Sequence, residues 1–240
     1  MDLAVVSDLH IGKDRADCFH HEESDFLRFL IDLENNYEKI ILLGDIFDTL
    51  TGPRYGSQQK AFWETVSEYP VLGSRLLSEK YIYVYGNHDI VAHKTVGALS
   101  EYIYKENKNR ILFTHGHIYD RLAMVARQPA DFLIWLGGML KRAGLNSVYS
   151  VLAAADEFFG GTASSPERCL FTQWAVHYAE QRGFDCIITG HTHRLSLFES
   201  PRSIYANSGT CSHGDYQFLS INTKTLEIDR YSNKMGVCRS

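Results

Sequence analysis

Short apolar runs that stop abruptly at polar residues recur along this chain. Leu3 to Val6 leads into Ser7-Asp8-Leu9-His10, Ile40 to Leu43 into Gly44-Asp45, and Tyr81 to Tyr85 into Gly86-Asn87-His88-Asp89. Ile111 to Phe113 leads into Thr114-His115-Gly116-His117, and Cys186 to Ile188 into Thr189-Gly190-His191-Thr192-His193. Brief continuous apolar runs predict strands buried on both faces, the kind found in a largely parallel sheet. Each polar cluster then falls at the carboxyl end of a strand, where sheets of this type open a crevice.

Between the runs the period changes. Residues 22–36 carry Phe26, Leu27, Leu30 and Leu33 at helical intervals, followed by Tyr37, with acids in the first turn where the helix dipole favours them. Strand, helix and strand in this order make a crossover unit. A second helix is predicted over 57–69, and another from Ser165, with Pro166 at the first helical position, to Gly183. The stretch from Phe113 to Cys186 is longer than one crossover helix needs, so 119–160 is predicted to be a helical insertion, or cap. The tail reads as antiparallel: Ser203 to Ala206, Tyr216 to Ile221 and Leu226 to Tyr231, the last two joined by Asn222-Thr223-Lys224-Thr225. The expectation is a single α/β domain over 1–240 with the cap inserted in it.

Composition alters this picture little. Of 240 residues 45% are apolar and 22% charged, ample for a core. A net charge of -5, from 29 acidic and 24 basic residues, argues against a protein built to grip nucleic-acid backbone. Five scattered cysteines without a C-x-x-C pair point to a reducing cytoplasm. The chain passes from Met1 straight into its first strand, so no cleavable signal peptide is expected, and no run of eighteen apolar residues predicts a spanning helix. Peripheral contact with the inner face of a membrane stays open.

The candidate chemistry lies in the polar clusters. Divalent metals accept carboxylate and imidazole, and a pair of ions about 3.5–4 Å apart can clamp phosphoryl oxygens and activate water. Asp8, His10, Asp45, Asn87, His115, His191 and His193 are the candidate ligands, enough for two ions if one carboxylate bridges. A lone Asp-x-His is an ordinary surface loop; five such clusters at five strand ends describe a two-metal hydrolase.

Taken together, Asp8-Leu9-His10, Gly44-Asp45, Gly86-Asn87-His88-Asp89, His115-Gly116-His117 and Gly190-His191-Thr192-His193 resemble, in order, the motifs of the calcineurin-like metallophosphoesterase superfamily. The resemblance implies a sandwich of two mixed β-sheets flanked by helices. It implies one metal on Asp8, His10, Asp45 and His193, and another on Asp45, Asn87, His115 and His191, with manganese the first choice and iron or zinc the alternatives. It also implies a catalytic His88 that contacts the phosphoryl group, with Asp89 or Asp48 beside it. His117, Arg194 and Arg15 are further candidates to meet phosphate, as is Lys13, each with an ordinary loop role as its alternative. His20, His21, His177 and His213 fall outside the pattern. A non-catalytic scaffold of the same fold would be expected to lack ligands, and none is missing.

Size and the apolar insertion also resemble the UDP-2,3-diacylglucosamine pyrophosphatases of lipid A synthesis, which implies a nucleotide-linked lipid as substrate. The surplus of apolar residues in the insertion, among them Phe132, Trp135, Leu136, Leu152 and Phe159, suits an acyl groove, a membrane-facing edge or a subunit interface, leaving monomer and homodimer both open. One residue departs from that branch: His88 follows Asn87 where those enzymes carry arginine. A phosphomonoesterase, protein phosphatase or nucleotide phosphodiesterase is the alternative.

Overall fold

Successive residues of a strand point to opposite faces, so a strand buried on both sides feeds two different layers. In β1 (Asp2–Val6), Leu3 and Val5 turn to one layer and Ala4 and Val6 to the other. In β2 (Lys39–Leu43), Ile41 and Leu43 share the first layer while Ile40 and Leu42 share the second. The computed structural model, which describes residues 1–13, 18–52, 54–119, 135–140, 143 and 169–234, builds two five-stranded sheets in this way.

The first sheet has the order β10-β9-β1-β2-β3, where β3 is Tyr81–Val84, β9 Asp215–Asn222 and β10 Ile228–Lys234. Its three central and edge strands β1, β2 and β3 run parallel, and β9 and β10 add an antiparallel hairpin. The second sheet has the order β4-β5-β6-β8-β7, with β4 Tyr102–Glu106, β5 Asn109–Phe113, β6 Cys186–Thr189, β7 Ser196–Glu199 and β8 Ile204–Asn207. Here β5, β6 and β8 are parallel, with β4 and β7 antiparallel at the edges.

Between the sheets lies one core: Leu3, Val5, Ile41, Leu43 and Val84 face Ile111, Phe113, Ile188 and Ala206. Outside the first sheet, α1 (Glu23–Asn36) lays Phe26, Leu30 and Leu33 on Ala4, Val6, Ile40 and Leu42. There, α2 (Gln58–Glu68), α3 (Pro70–Leu76) and the short α4 (Ala92–Val96) extend the layer through Phe62, Leu72, Leu76 and Ala92. Outside the second sheet, α5 (Leu170–Arg182) sets Ala175 and Ala179 on Leu112, Ile187 and Tyr205, and stops at Gly183, whose φ of +66° suits a helix C-terminus. The architecture is thus two mixed sheets flanked by helices.

Several elements differ from the sequence reading. The helix expected over 57–69 ends at Glu68, and Pro70, which can start a helix but not continue one, opens α3. Two edge strands, β4 and β7, fall outside the apolar runs because they are half-exposed. With β7 taking the antiparallel place beside it, β8 pairs parallel to β6 rather than joining the antiparallel tail. Of the expected insertion at 119–160, only 119, 135–140, which is helical, and 143 lie within the described residues. No helix among the described residues is long and apolar enough to cross a membrane.

Phe113 is fully buried in the core between the sheets. Phe113→Ala should lower stability by about 3–5 kcal/mol, read by urea denaturation, because the cavity would open between two sheets that cannot collapse onto it.

Candidate metal centre

The parallel pairing of β1 with β2 continues past both strands, and this aligns the first two ligand loops. Asp8 N–H donates to Gly44 O at 3.0 Å, His10 N–H to Asp45 O at 2.9 Å, and Ile11 N–H to Ile46 O at 2.9 Å. The second sheet does the same: Thr114 N–H donates to Ile188 O at 3.1 Å and Gly190 N–H to His115 O at 3.2 Å. The side chains converge because the backbone there is left-handed, with φ of 53° at Asp8, 51° at His10, 53° at Asp45, 69° at His191 and 55° at His193. Each such residue costs roughly 1–3 kcal/mol, and their concentration in one place is characteristic of a functional site. Space is made by glycine: a Cβ on Gly44, itself at φ +87°, would strike the His115 ring, and one on Gly86 would strike Asp45 Oδ1.

The result is one contiguous cluster. His193 Nε2 lies 3.1 Å from Asp8 Oδ1 and 3.3 Å from His10 Nε2. His115 Nε2 lies 3.2 Å from Asp45 Oδ2 and 3.2 Å from Asn87 Oδ1, while its Nδ1 faces Leu43 O at 2.8 Å, an orientation fixed by backbone. His191 joins Asp45 and His115 in a group whose ligand atoms all lie within 4.8 Å of one another, and Asp8, His10 and His193 form a second such group. A third, of His10, Asp45 and His88, links the two.

Burial alone would neutralise Asp8, Asp45 and Asp48, yet all three are held below the usual carboxylate range: Asp8 by His193, Asp45 by His115 and His88, Asp48 by His88. Burial, reinforced by His88 and His193, lowers His10 to about 4, so its imidazole is neutral. Asp8, Asp45 and Asp48 are therefore held charged and His10 uncharged, while Asp8, overriding burial, raises His193, which would have to give up its proton to a metal. Burial opposes protonation of His88 too, but Asp45 and Asp48 raise it to about 10, and Asp45 likewise raises His115 to about 9.

The donor set fits a pair of divalent ions. Asp8 Oδ1 is buried with the His193 ring nitrogen 3.1 Å away, and that nitrogen and His10 Nε2 face each other where they can share only one proton. A cation among them would satisfy all three atoms at once. Carboxylate, imidazole and amide oxygen suit manganese, iron or zinc.

Around this cluster the remaining candidates separate. His88 Nδ1 meets Asp48 Oδ1 at 3.2 Å and its ring stands edge-on to His10 with centroids 4.7 Å apart, so Asp48 is a buried support rather than a solvent-facing acid. Asp89, expected beside His88 in the catalytic group, is fully buried behind the site. Its Oδ2 accepts from Ile46 N–H at 2.7 Å and Tyr83 O–H at 2.6 Å, its Oδ1 from Gly86 N–H at 2.6 Å, and so it ties two ligand loops together. His117 lies beside His115 with ring centroids 5.6 Å apart and planes tilted by 44°. Arg194 is exposed at the rim. Lys13 faces Glu64 at 3.7 Å. Arg15 lies outside the described residues.

A family model for calcineurin-like phosphoesterases matches residues 1–195. The chain belongs to the calcineurin-like phosphoesterase family. Among solved structures it is similar to an archaeal phosphodiesterase (16% identity, 97% of this chain and 100% of that one, TM-score 0.48). It is also similar to zinc-complexed Vps29 from Entamoeba histolytica (16%, 97% and 91%, TM-score 0.49) and to the phosphoesterase Yfce from E. coli (15%, 96% and 98%, TM-score 0.44). No curated protein sequence matches it.

The end of β8 and the loop after it support the centre from beneath, and the sequence reading passed over them. Asn207 is fully buried and its amide donates to Gly190 O at 2.6 Å, Thr189 Oγ1 at 3.0 Å and Thr192 Oγ1 at 3.2 Å, holding the turn that carries His191 and His193. Ser7 bonds Ser208 at 2.7 Å and also donates to Asp8, and Thr210 Oγ1 donates to Asp8 O at 2.9 Å. A buried asparagine at the end of a strand was the available signal, but small polar residues carry no ligand chemistry to mark them. Asn207→Ala should leave a folded protein with metal affinity down about 10–100-fold, read by competition with a chromogenic chelator, as for other residues that orient ligands.

Proposed function

We propose that this phosphoesterase hydrolyses a pyrophosphate or phosphodiester with two divalent ions, and that its best substrate is UDP-2,3-diacylglucosamine, giving UMP and 2,3-diacylglucosamine 1-phosphate. The observation that carries the reaction class is the double donor set that shares Asp45. Asp8, His10, Asp45 and His193 would hold one ion, and Asp45, Asn87, His115 and His191 the other, with manganese favoured. Bound there, such ions supply Lewis acidity at phosphoryl oxygens and a source of nucleophilic water at neutral pH.

The chain's own residues do the rest. With Nδ1 of His88 facing Asp48, its Nε2 is the nitrogen left to donate to a phosphoryl oxygen, stabilising charge that grows as the P–O bond breaks. A departing phosphate needs little protonation, so in a pyrophosphate His88 acts chiefly on charge. Asp89 and Asn207 keep the ligand loops in place throughout.

The lipid assignment is supported by the sequence resemblance and by where the insertion meets the core. A Cβ on Gly138 would lie 3.0 Å from Thr51 Cβ, and Trp135 packs edge-on to Tyr55 with centroids 5.7 Å apart. Thr51 N–H in turn donates to Asp48 Oδ1 at 3.3 Å, so the insertion rests on the loop that anchors His88, at the margin of the centre. A second reading, a phosphomonoesterase or protein phosphatase, is favoured by His88 itself, since a monoester with a poor leaving group gains most from a proton donor.

Asp45→Ala should remove nearly all bound metal, measured by plasma mass spectrometry, and lower turnover at least about 1,000-fold; near-normal metal content would refute the bridging role. Metal-loaded protein should release UMP from UDP-2,3-diacylglucosamine and be feeble on p-nitrophenyl phosphate. The reverse preference would establish the monoesterase reading, and a protein that binds no metal under replete conditions would be a scaffold.

A further inference from the structure

The insertion meets the core through glycine. In Trp135-Leu136-Gly137-Gly138-Met139-Leu140 both glycines are buried and helical, although glycine is among the poorest helix formers. At Gly138 the reason is a close approach to Thr51. A Cβ there would lie 3.0 Å from Thr51 Cβ, 3.2 Å from its Cγ2 and 3.4 Å from its Cα.

Thr51 belongs to a turn that holds His88 at two points. Its N–H donates to Asp48 Oδ1 at 3.3 Å and its hydroxyl to Asp48 O at 3.3 Å, and the same Oδ1 faces His88 Nδ1 at 3.2 Å. Thr49 holds the backbone of that histidine, its N–H donating to His88 O at 3.3 Å and its hydroxyl to the same oxygen. The far side of the turn is closed by α2. A Cβ on Gly52 would come within 2.8 Å of Ala61 Cβ, so the chain there already lies against the helix. With α2 at its back, the turn cannot retreat from the segment 135–140, and a close-packed interior passes such a displacement on. Asp48 and His88 are next in line. Thr51, Gly52 and Gly138 are not among the seven candidate metal ligands, so the route reaches His88 without passing through the ligand set.

We infer that Gly138 and Thr51 are positioning residues for His88: the helical segment of the insertion seats on the Asp48 turn and sets where the imidazole stands against the phosphoryl group. The insertion thereby serves the chemical step, apart from any part of a substrate that it holds. The inference rests on the phosphohydrolase reading for the role of His88, and on no particular substrate.

The test uses the metal-loaded full chain and bis(p-nitrophenyl) phosphate, whose nitrophenolate leaves without a proton, so that His88→Ala keeps measurable turnover. Gly138→Ala, a change that favours the helix, should lower kcat about fivefold, and Gly138→Val about 30-fold, as small misplacements at a reacting group do. KM and metal content should stay within about twofold, and in a His88→Ala background Gly138→Ala should change kcat by less than about twofold, because residues that act through one another do not add. Thr51→Ser, which removes the Cγ2 methyl and keeps both donors, should restore part of the kcat lost in Gly138→Ala. Unchanged kcat, a loss confined to KM, or a loss that persists in full without His88 would overturn the inference. If circular dichroism shows that Gly138→Val does not fold, Gly138→Ala decides alone. If the wild type does not hydrolyse the reporter, the phosphohydrolase reading fails, and long-range proton–nitrogen spectra of the imidazoles decide the positioning. The His88 resonances, assigned by their loss in His88→Ala, should then shift in Gly138→Ala, while those of His21, which packs among Phe19, Phe26 and Tyr216, stay in place. Unmoved His88 resonances would overturn it.

Discussion

Four carboxylates in this protein are buried within a few residues of one another in space: Asp8, Asp45, Asp48 and Asp89 are each at most 6% exposed. Anionic charge out of water is tolerated only where it is paired or hydrogen-bonded. Asp89 is satisfied by backbone N–H groups and a tyrosine, Asp48 by His88 and Thr51, and Asp8 and Asp45 by histidines. The strained turns, the crowding glycines and the polar loop beneath Asp8 all serve to bring these partners within reach.

The division of labour follows from which partners are fixed. Backbone donors and Tyr83 hold Asp89 with no group left over for a ligand, and so it positions loops. Asp8 and Asp45 are faced instead by imidazole nitrogens, which can give up a proton and bind a cation in its place. Geometry and proton chemistry thus agree on where positive charge is wanted, and a phosphoryl group is the substrate that brings its own negative charge to such a place.

Much of this was legible in the sequence because the central strands are buried on both faces and their ends carry ligand chemistry. Asp8, His10, Asp45, Asn87, His115, His191 and His193, read at five strand ends, are brought into one cluster by two parallel strand triplets. The edge strands were not legible, since Tyr102–Glu106 and Ser196–Glu199 are half-exposed and their place depends on neighbours distant in sequence. Nor was the support of the centre: Asn207, Ser208 and Thr210 act through hydrogen bonds whose partners are chosen by the tertiary fold. Asp89 shows the same limit, as an acid next to His88 in sequence whose carboxylate is taken up by Ile46, Gly86 and Tyr83.

The seven ligand candidates do not belong to one sheet. Asp8, His10, Asp45 and Asn87 come from the loops of the first, while His115, His191 and His193 come from the second. An ion shared across that seam would act as a rivet between two halves that otherwise adhere through apolar contact, a force indifferent to small sliding displacements. With such an ion bound, folding would be coupled to metal supply, and the divalent-ion pool would bear on the rigidity of the sandwich as well as on its chemistry.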